Sequence, residues 1–205
     1  MKFGGLQPFT LSDYPGRSAA VVFTQGCNFR CPFCHNGALW ALDRPDDELV
    51  PLRAVRSLLE KRRGKLEGLV VTGGEPTVQP DLAEFLAEVK QLDYLVKLDT
   101  NGSRPDVLAD LIHRRLVDFV AMDVKAPAEK YDELAGVAVD ADAIRRSISL
   151  IAASGTDHLF RTTAVPELLT NADLQAIRAM IPAGSRHVVQ EFKPELAHNP
   201  ALRGE

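Results

Sequence analysis

Ala19-Ala20-Val21-Val22-Phe23-Thr24-Gln25-Gly26-Cys27-Asn28-Phe29-Arg30-Cys31-Pro32-Phe33-Cys34 is the stretch on which the reading of this chain turns. Its first six residues form the short apolar, β-branched run expected of a strand. Three cysteines follow within eight residues, at C-x3-C-x2-C spacing, and the chain has no others. Three thiolates can hold three corners of a [4Fe–4S] cube and leave the fourth iron open, whereas most electron-transfer clusters take four cysteines. An open iron implies a ligand from outside the protein, and so chemistry rather than electron storage. Zinc is the competing reading, because thiolates suit it and His35 directly follows Cys34. Adjacent Cys34 and His35 reach one tetrahedral ion with difficulty, and no distant second cysteine hook exists. A disulfide framework fails, because three is odd and residues 1–10 carry no apolar leader segment.

Outward from this loop, the chain alternates strands with helices. Strand-like runs fall at 19–24, 69–72, 94–99, 118–123, 159–165 and 187–192. Helical periodicity fills the gaps, at 52–63, 81–91, 106–115, 142–153 and 172–181. Asp142 and Asn171 stand where N-caps are expected, Pro80 and Pro105 suit first turns, and Ser154-Gly155 suits a helix end. Six β runs separated by helices predict an α/β fold with a parallel sheet, either open or a six-stranded barrel fragment with outer helices. The expected organisation is one domain over 1–205. Residues 1–16 form an N-terminal extension, strand or hairpin, and 194–205 a loosely held tail.

Composition narrows the classes. A net charge of −4 gives no basic field to hold nucleic acid. No apolar run approaches a membrane span. The expected compartment is the reducing cytoplasm, where thiols persist.

The unusual short motifs all follow strands: the cysteine loop after the first, Gly73-Gly74-Glu75-Pro76 after the second, Asp99-Thr100-Asn101-Gly102 at the third, Asp123-Val124-Lys125 at the fourth. Arg161 lies within the fifth. In parallel βα folds the C-terminal strand ends share one rim, and ligands bind there. His113, His158, His187 and His198 show no metal-ligand spacing. Trp40 reads as packing beside the loop, and Lys61, Arg62, Arg63 and Lys65 as a solvated helix end.

The C-x3-C-x-aromatic-C loop with Phe33, together with Gly-Gly-Glu-Pro at 73–76, resembles the two main signatures of radical S-adenosylmethionine (SAM) enzymes. Asp13-Tyr14-Pro15-Gly16, the run from Phe23 to Asn36, Asp99-Thr100-Asn101-Gly102, Met122-Asp123-Val124-Lys125 and Arg161 are most similar to the glycyl-radical-enzyme activating enzymes, in particular those serving anaerobic ribonucleoside-triphosphate reductase. The resemblance implies a partial (βα)6 barrel. It also implies a [4Fe–4S] cluster on Cys27, Cys31 and Cys34, with SAM chelating the open iron and being reductively cleaved.

By the same resemblance, cofactor contacts are expected from Phe33 near the adenine and from Asn36 near the cluster. Gly73 and Gly74 would let backbone approach, and the strand-end backbone with Glu75 would offer acceptors to the ammonium. Asp99, Thr100, Asn101, Asp123, Lys125 and Arg161 complete the set. Asp99, Thr100 and Asp123, with the carbonyl of Ala121, resemble a hard-oxygen site for a monovalent cation. The implied partners are a glycyl radical enzyme, anaerobic ribonucleotide reductase, and an electron donor such as flavodoxin or ferredoxin. The alternatives are a radical enzyme acting on a small molecule or on a formate-lyase type of partner, and a non-catalytic zinc-binding module.

Overall fold

The apolar runs pair in the order in which they occur along the chain. The computed structural model describes residues 1–203. Its strands are β1 (Phe3–Thr10), β2 (Ala19–Thr24), β3 (Gly68–Gly73), β4 (Leu95–Thr100), β5 (Phe119–Asp123), β6 (Asp157–Ala164) and β7 (His187–Glu191). They form one sheet in sequential order, antiparallel between β1 and β2 and parallel throughout the rest. The N-terminal extension is thus an edge strand. The helices are α1 (Leu52–Arg62), α2 (Leu82–Gln91), α3 (Pro105–His113), α4 (Tyr131–Ala135), α5 (Ala141–Ala153) and α6 (Asn171–Met180). No helix among the described residues is long and apolar enough to cross a membrane.

Strand alternation gives the sheet two unlike faces. The outer face carries Val22, Val71, Val96, Leu98, Val120, Met122 and Phe160, which pack against Leu59, Leu86, Leu108, Ile144 and Ile177 of the helices. Each such buried side chain contributes roughly 1.5–3 kcal/mol. The inner face is apolar only at one end, where Tyr14, Ala19, Val21 and Val70 gather with Phe23, Leu95 and Phe119. Tyr14 meets Phe119 edge-on, with ring centroids 6.0 Å apart. Towards the C-terminal strand ends this face turns polar. The architecture is a partial barrel: β1 and β7 do not pair with each other, so the sheet curls without closing.

Three local expectations are corrected. The cap of α5 is Asp140, whose carboxylate accepts from the Asp142 and Ala143 amides, so Asp142 lies inside the first turn. The cap of α6 is Thr170, in a reciprocal capping box with Asp173, so Asn171 is already helical. Pro80 precedes the Asp81 cap of α2, while Pro105 does open α3.

The tail differs more from its expectation. Over its described residues it is clasped to the cysteine loop. His198 N donates to the Cys34 carbonyl (2.9 Å) and Asn199 N to the Pro32 carbonyl (3.0 Å). Ala197 is buried, and the His198 ring lies 4.2 Å from that of Trp40. Two loop carbonyls need donors, and the tail backbone supplies them. Gly204 and Glu205 lie outside the described residues.

Candidate active site at the strand ends

The cysteine loop is held from outside by backbone bonds. Gly26 N donates to Leu39 O (2.7 Å), Cys27 N to Trp40 O (3.3 Å) and Arg30 N to Ala135 O (2.7 Å). The Arg30 guanidinium turns back onto the Cys27 and Phe29 carbonyls. This bracing leaves other amides free for sulfur: Phe29 N donates to Cys27 Sγ and Asn36 N to Cys34 Sγ, each at 3.3 Å. Cys27 and Cys31 are buried and Cys34 half-buried. Burial pushes the Cys27 thiol up to about 12 and raises Cys31 as well. Metal binding must therefore displace protons here.

All three cysteines line one cavity of about 310 Å³. Phe33, Asn36, Gly73, Gly74, Glu75, Asp99, Thr100, Asn101, Asp123, Lys125 and Arg161 line it too, so the residues singled out from sequence are brought together. Ala121 is not among the lining residues. It is buried within β5, in register with Asp99 on one side and Leu159 on the other.

Gly73 and Gly74 are small because protein backbone lies against them. Gly73 has φ +121°, and a methyl there would meet the Thr24 backbone. A methyl on Gly74 would overlap the Gly26 carbonyl and come within 2.9 Å of the Leu39 oxygen. Gly74→Ala should therefore push the two loops apart and reduce iron bound per chain after anaerobic reconstitution by at least half. Iron and sulfide analysis checks this.

The Glu75 side chain, only 1% exposed, is engaged within the protein. Its Oε1 accepts from Thr77 N (3.1 Å), Thr77 Oγ1 (2.5 Å) and Thr100 Oγ1 (2.8 Å), and its Oε2 from Asn101 N (2.6 Å). The expected carboxylate acceptor for a cofactor ammonium is thus a bracket between the β3 and β4 loops. Burial raises its pKa, and these donors oppose the rise. Thr100 Oγ1 also accepts from Gly102 N. The Asn101 side chain binds Asn28 and the Ser103 amide.

Charges alternate across β4, β5 and β6. Arg161 Nε donates to Asp123 Oδ1 (2.8 Å), and its Nη1 to Asp99 Oδ2 (3.4 Å). Lys97 donates to Asp99 Oδ1, and Lys125 Nζ lies 3.6 Å from Asp123 Oδ2. Lys125 Nζ also stands 5.8 Å from the Phe33 ring centroid. Burial alone would raise the Asp123 pKa, but the Arg161 and Lys125 charges outweigh it and hold the group low. Burial likewise disfavours charge on Lys125, yet Asp123 and the nearby Cys31, Tyr131 and Cys34 hold its pKa high.

This donor set fits three thiolates that each take a different iron. It suits a mononuclear ion less well. Among the described residues, no three Cys, His, Asp or Glu side chains form a group able to hold one metal ion. His35 lies against Phe192, with ring centroids 6.1 Å apart.

Comparison with known proteins agrees with the geometry. Residues 21–180 match the family model described as the radical SAM superfamily. The chain belongs to that superfamily. A Methanocaldococcus jannaschii protein provisionally named a glycyl-radical enzyme activating enzyme is 30% identical over 217 residues, covering 97% of this chain and 83% of that protein. Pyruvate formate-lyase-activating enzyme of Staphylococcus aureus is 32% identical over 114 residues, which is 51% of this chain and 45% of that one. In fold, the chain resembles the radical SAM enzyme coproporphyrinogen III oxidase of Escherichia coli. The TM-score is 0.65 at 15% identity, over 93% of this chain and 48% of that one.

In this radical SAM chain the cavity has further walls that sequence reasoning did not assign. Asp13, Phe23, Thr72, Thr163 and Gln190 line it. Lys97 was also passed over, although strand alternation places it on the same face as Asp99.

Proposed function

We propose that the protein is an activating enzyme that cleaves SAM reductively and creates a glycyl radical on a partner enzyme, anaerobic ribonucleoside-triphosphate reductase. The observation that carries this reading is the meeting of three cysteines and the polar strand ends in one cavity. The full-length similarity to an activating-enzyme relative supports it. When bound, a [4Fe–4S] cluster and SAM would supply one-electron reductive cleavage of the sulfonium, with methionine and, after removal of one hydrogen atom from the substrate, 5′-deoxyadenosine as products. The electron comes from a reduced one-electron carrier of the flavodoxin or ferredoxin class, in a reducing cytoplasmic setting.

The chain's own groups do the positioning. Cys27, Cys31 and Cys34 would hold the cluster, and the amides that donate to Cys27 and Cys34 sulfur would tune it. Lys125 and Arg161 present positive charge to the SAM carboxylate, and Phe33 offers an apolar face to the adenine. The loop braced by Glu75 presents backbone to the ammonium. Thr163 and Gln190 lie on the wall towards the open edge, where a glycine-bearing loop of the partner would enter.

The test is anaerobic incubation of reconstituted protein with reductant, SAM and the partner. The expected result is a glycyl radical signal in electron paramagnetic resonance that requires this protein, with 5′-deoxyadenosine formed. Formation of 5′-deoxyadenosine without a glycyl radical would assign the chain a different substrate. A colourless protein with stoichiometric zinc after reconstitution would overturn the reading.

A further inference from the structure

We infer that Lys97 and Arg161 take the place of an inorganic cation in this site, so that SAM binding needs neither potassium nor sodium. The inference rests on the functional reading above and goes beyond it. It concerns the acids Asp99 and Asp123, which the sequence resemblance pairs with a hard cation.

Strand geometry sets up the arrangement. Lys97 and Asp99 are two apart on β4 and share its inner face. Asp99 lies in register with Ala121, and Asp123 with Arg161 on the next strand. The guanidinium on β6 therefore reaches across β5 and serves both acids.

All four carboxylate oxygens are matched. On Asp99, Oδ1 takes Lys97 and Oδ2 takes Arg161. On Asp123, Oδ1 takes Arg161 Nε and Oδ2 faces Lys125. The Thr100 hydroxyl is held between Glu75 and Gly102. A hard cation needs several oxygens at once, and these oxygens already face N–H donors. Displacing Lys97 would strand an ammonium on a side chain only 4% exposed, a costly outcome. Three cations against two acids leave the row one net positive charge, which suits one incoming carboxylate.

The experiment measures SAM affinity by anaerobic equilibrium dialysis on cluster-reconstituted protein, in potassium, sodium or choline chloride at equal ionic strength. The expected wild-type affinity changes less than about twofold among the three salts. Lys97→Ala, which removes the ammonium and opens room, should bind about tenfold more weakly in choline chloride and regain most of that loss in potassium chloride. A packing role alone would not create this dependence on the salt's cation. A wild-type loss of tenfold or more in choline chloride overturns the inference by itself, even if the variant fails to fold. A Lys97→Ala protein indifferent to the salt overturns it as well. SAM that binds in no salt, on protein with a full cluster, overturns the functional reading and this inference with it.

Discussion

Cys31→Ala should abolish SAM cleavage, with 5′-deoxyadenosine formation falling at least about a thousandfold, the equivalent of roughly 4 kcal/mol in barrier. Cys31 sits midway in the loop and is buried, and its carbonyl receives the Cys34 amide at 3.0 Å. Alanine preserves that backbone turn, so the fold should survive. What is lost is one of only three thiolates, and the chain holds no other cysteine to replace it. On the proposed ligation, two-thiolate anchorage would leave a second iron unprotected against solvent and oxidant. Iron and sulfide analysis after anaerobic reconstitution, with chromatography of the nucleoside product, checks the result. Undiminished cleavage on a fully occupied cluster would show that Cys31 is not a ligand.

Glu75→Ala should produce the largest loss of stability of any single change around the cavity, about 3–5 kcal/mol. The Thr77 and Asn101 amides and two threonine hydroxyls converge on this carboxylate, all in buried surroundings. Alanine leaves these donors without an acceptor where water is scarce, at roughly 1–3 kcal/mol for each orphaned group, and the relieved cost of burying the carboxylate offsets part of that sum. That is a large share of the 5–15 kcal/mol typical of a whole domain. Urea unfolding followed by circular dichroism gives the measurement. A midpoint within experimental error of wild type would mean that the bracket contributes nothing. Glu75→Gln should fall between the two, because one amide oxygen still accepts while the new NH₂ faces a donor.

The fold was legible because parallel strands are buried on both faces and read as continuous apolar runs, as at Val70-Val71 and Val120-Ala121-Met122. Helix starts were less legible. Asp and Asn stabilise first-turn positions as well as caps, so Asp142 and Asn171 were read one or two residues too far along. Helix α4, five residues long, is too short to show periodicity. The cavity lining was legible because topology alone carries the ends of parallel strands to one rim. What each polar group binds was not. Glu75 finds two of its partners, Thr100 and Asn101, 25 and 26 residues away, and Arg161 reaches an acid two strands across the sheet. A lysine inside a strand gives no local sign of whether its ammonium meets water or a carboxylate. Lys97 therefore becomes informative only once its neighbours are known.

The clasp between His198, Asn199 and the cysteine loop carries a consequence for biosynthesis. The cysteine loop leaves the ribosome about 160 residues ahead of the amides that donate to its Pro32 and Cys34 carbonyls. At ordinary elongation rates that interval lasts roughly 10–30 s. Throughout it the Pro32 and Cys34 carbonyls lack these donors, so the loop reaches its final backbone bonding only once the His198–Asn199 segment has emerged.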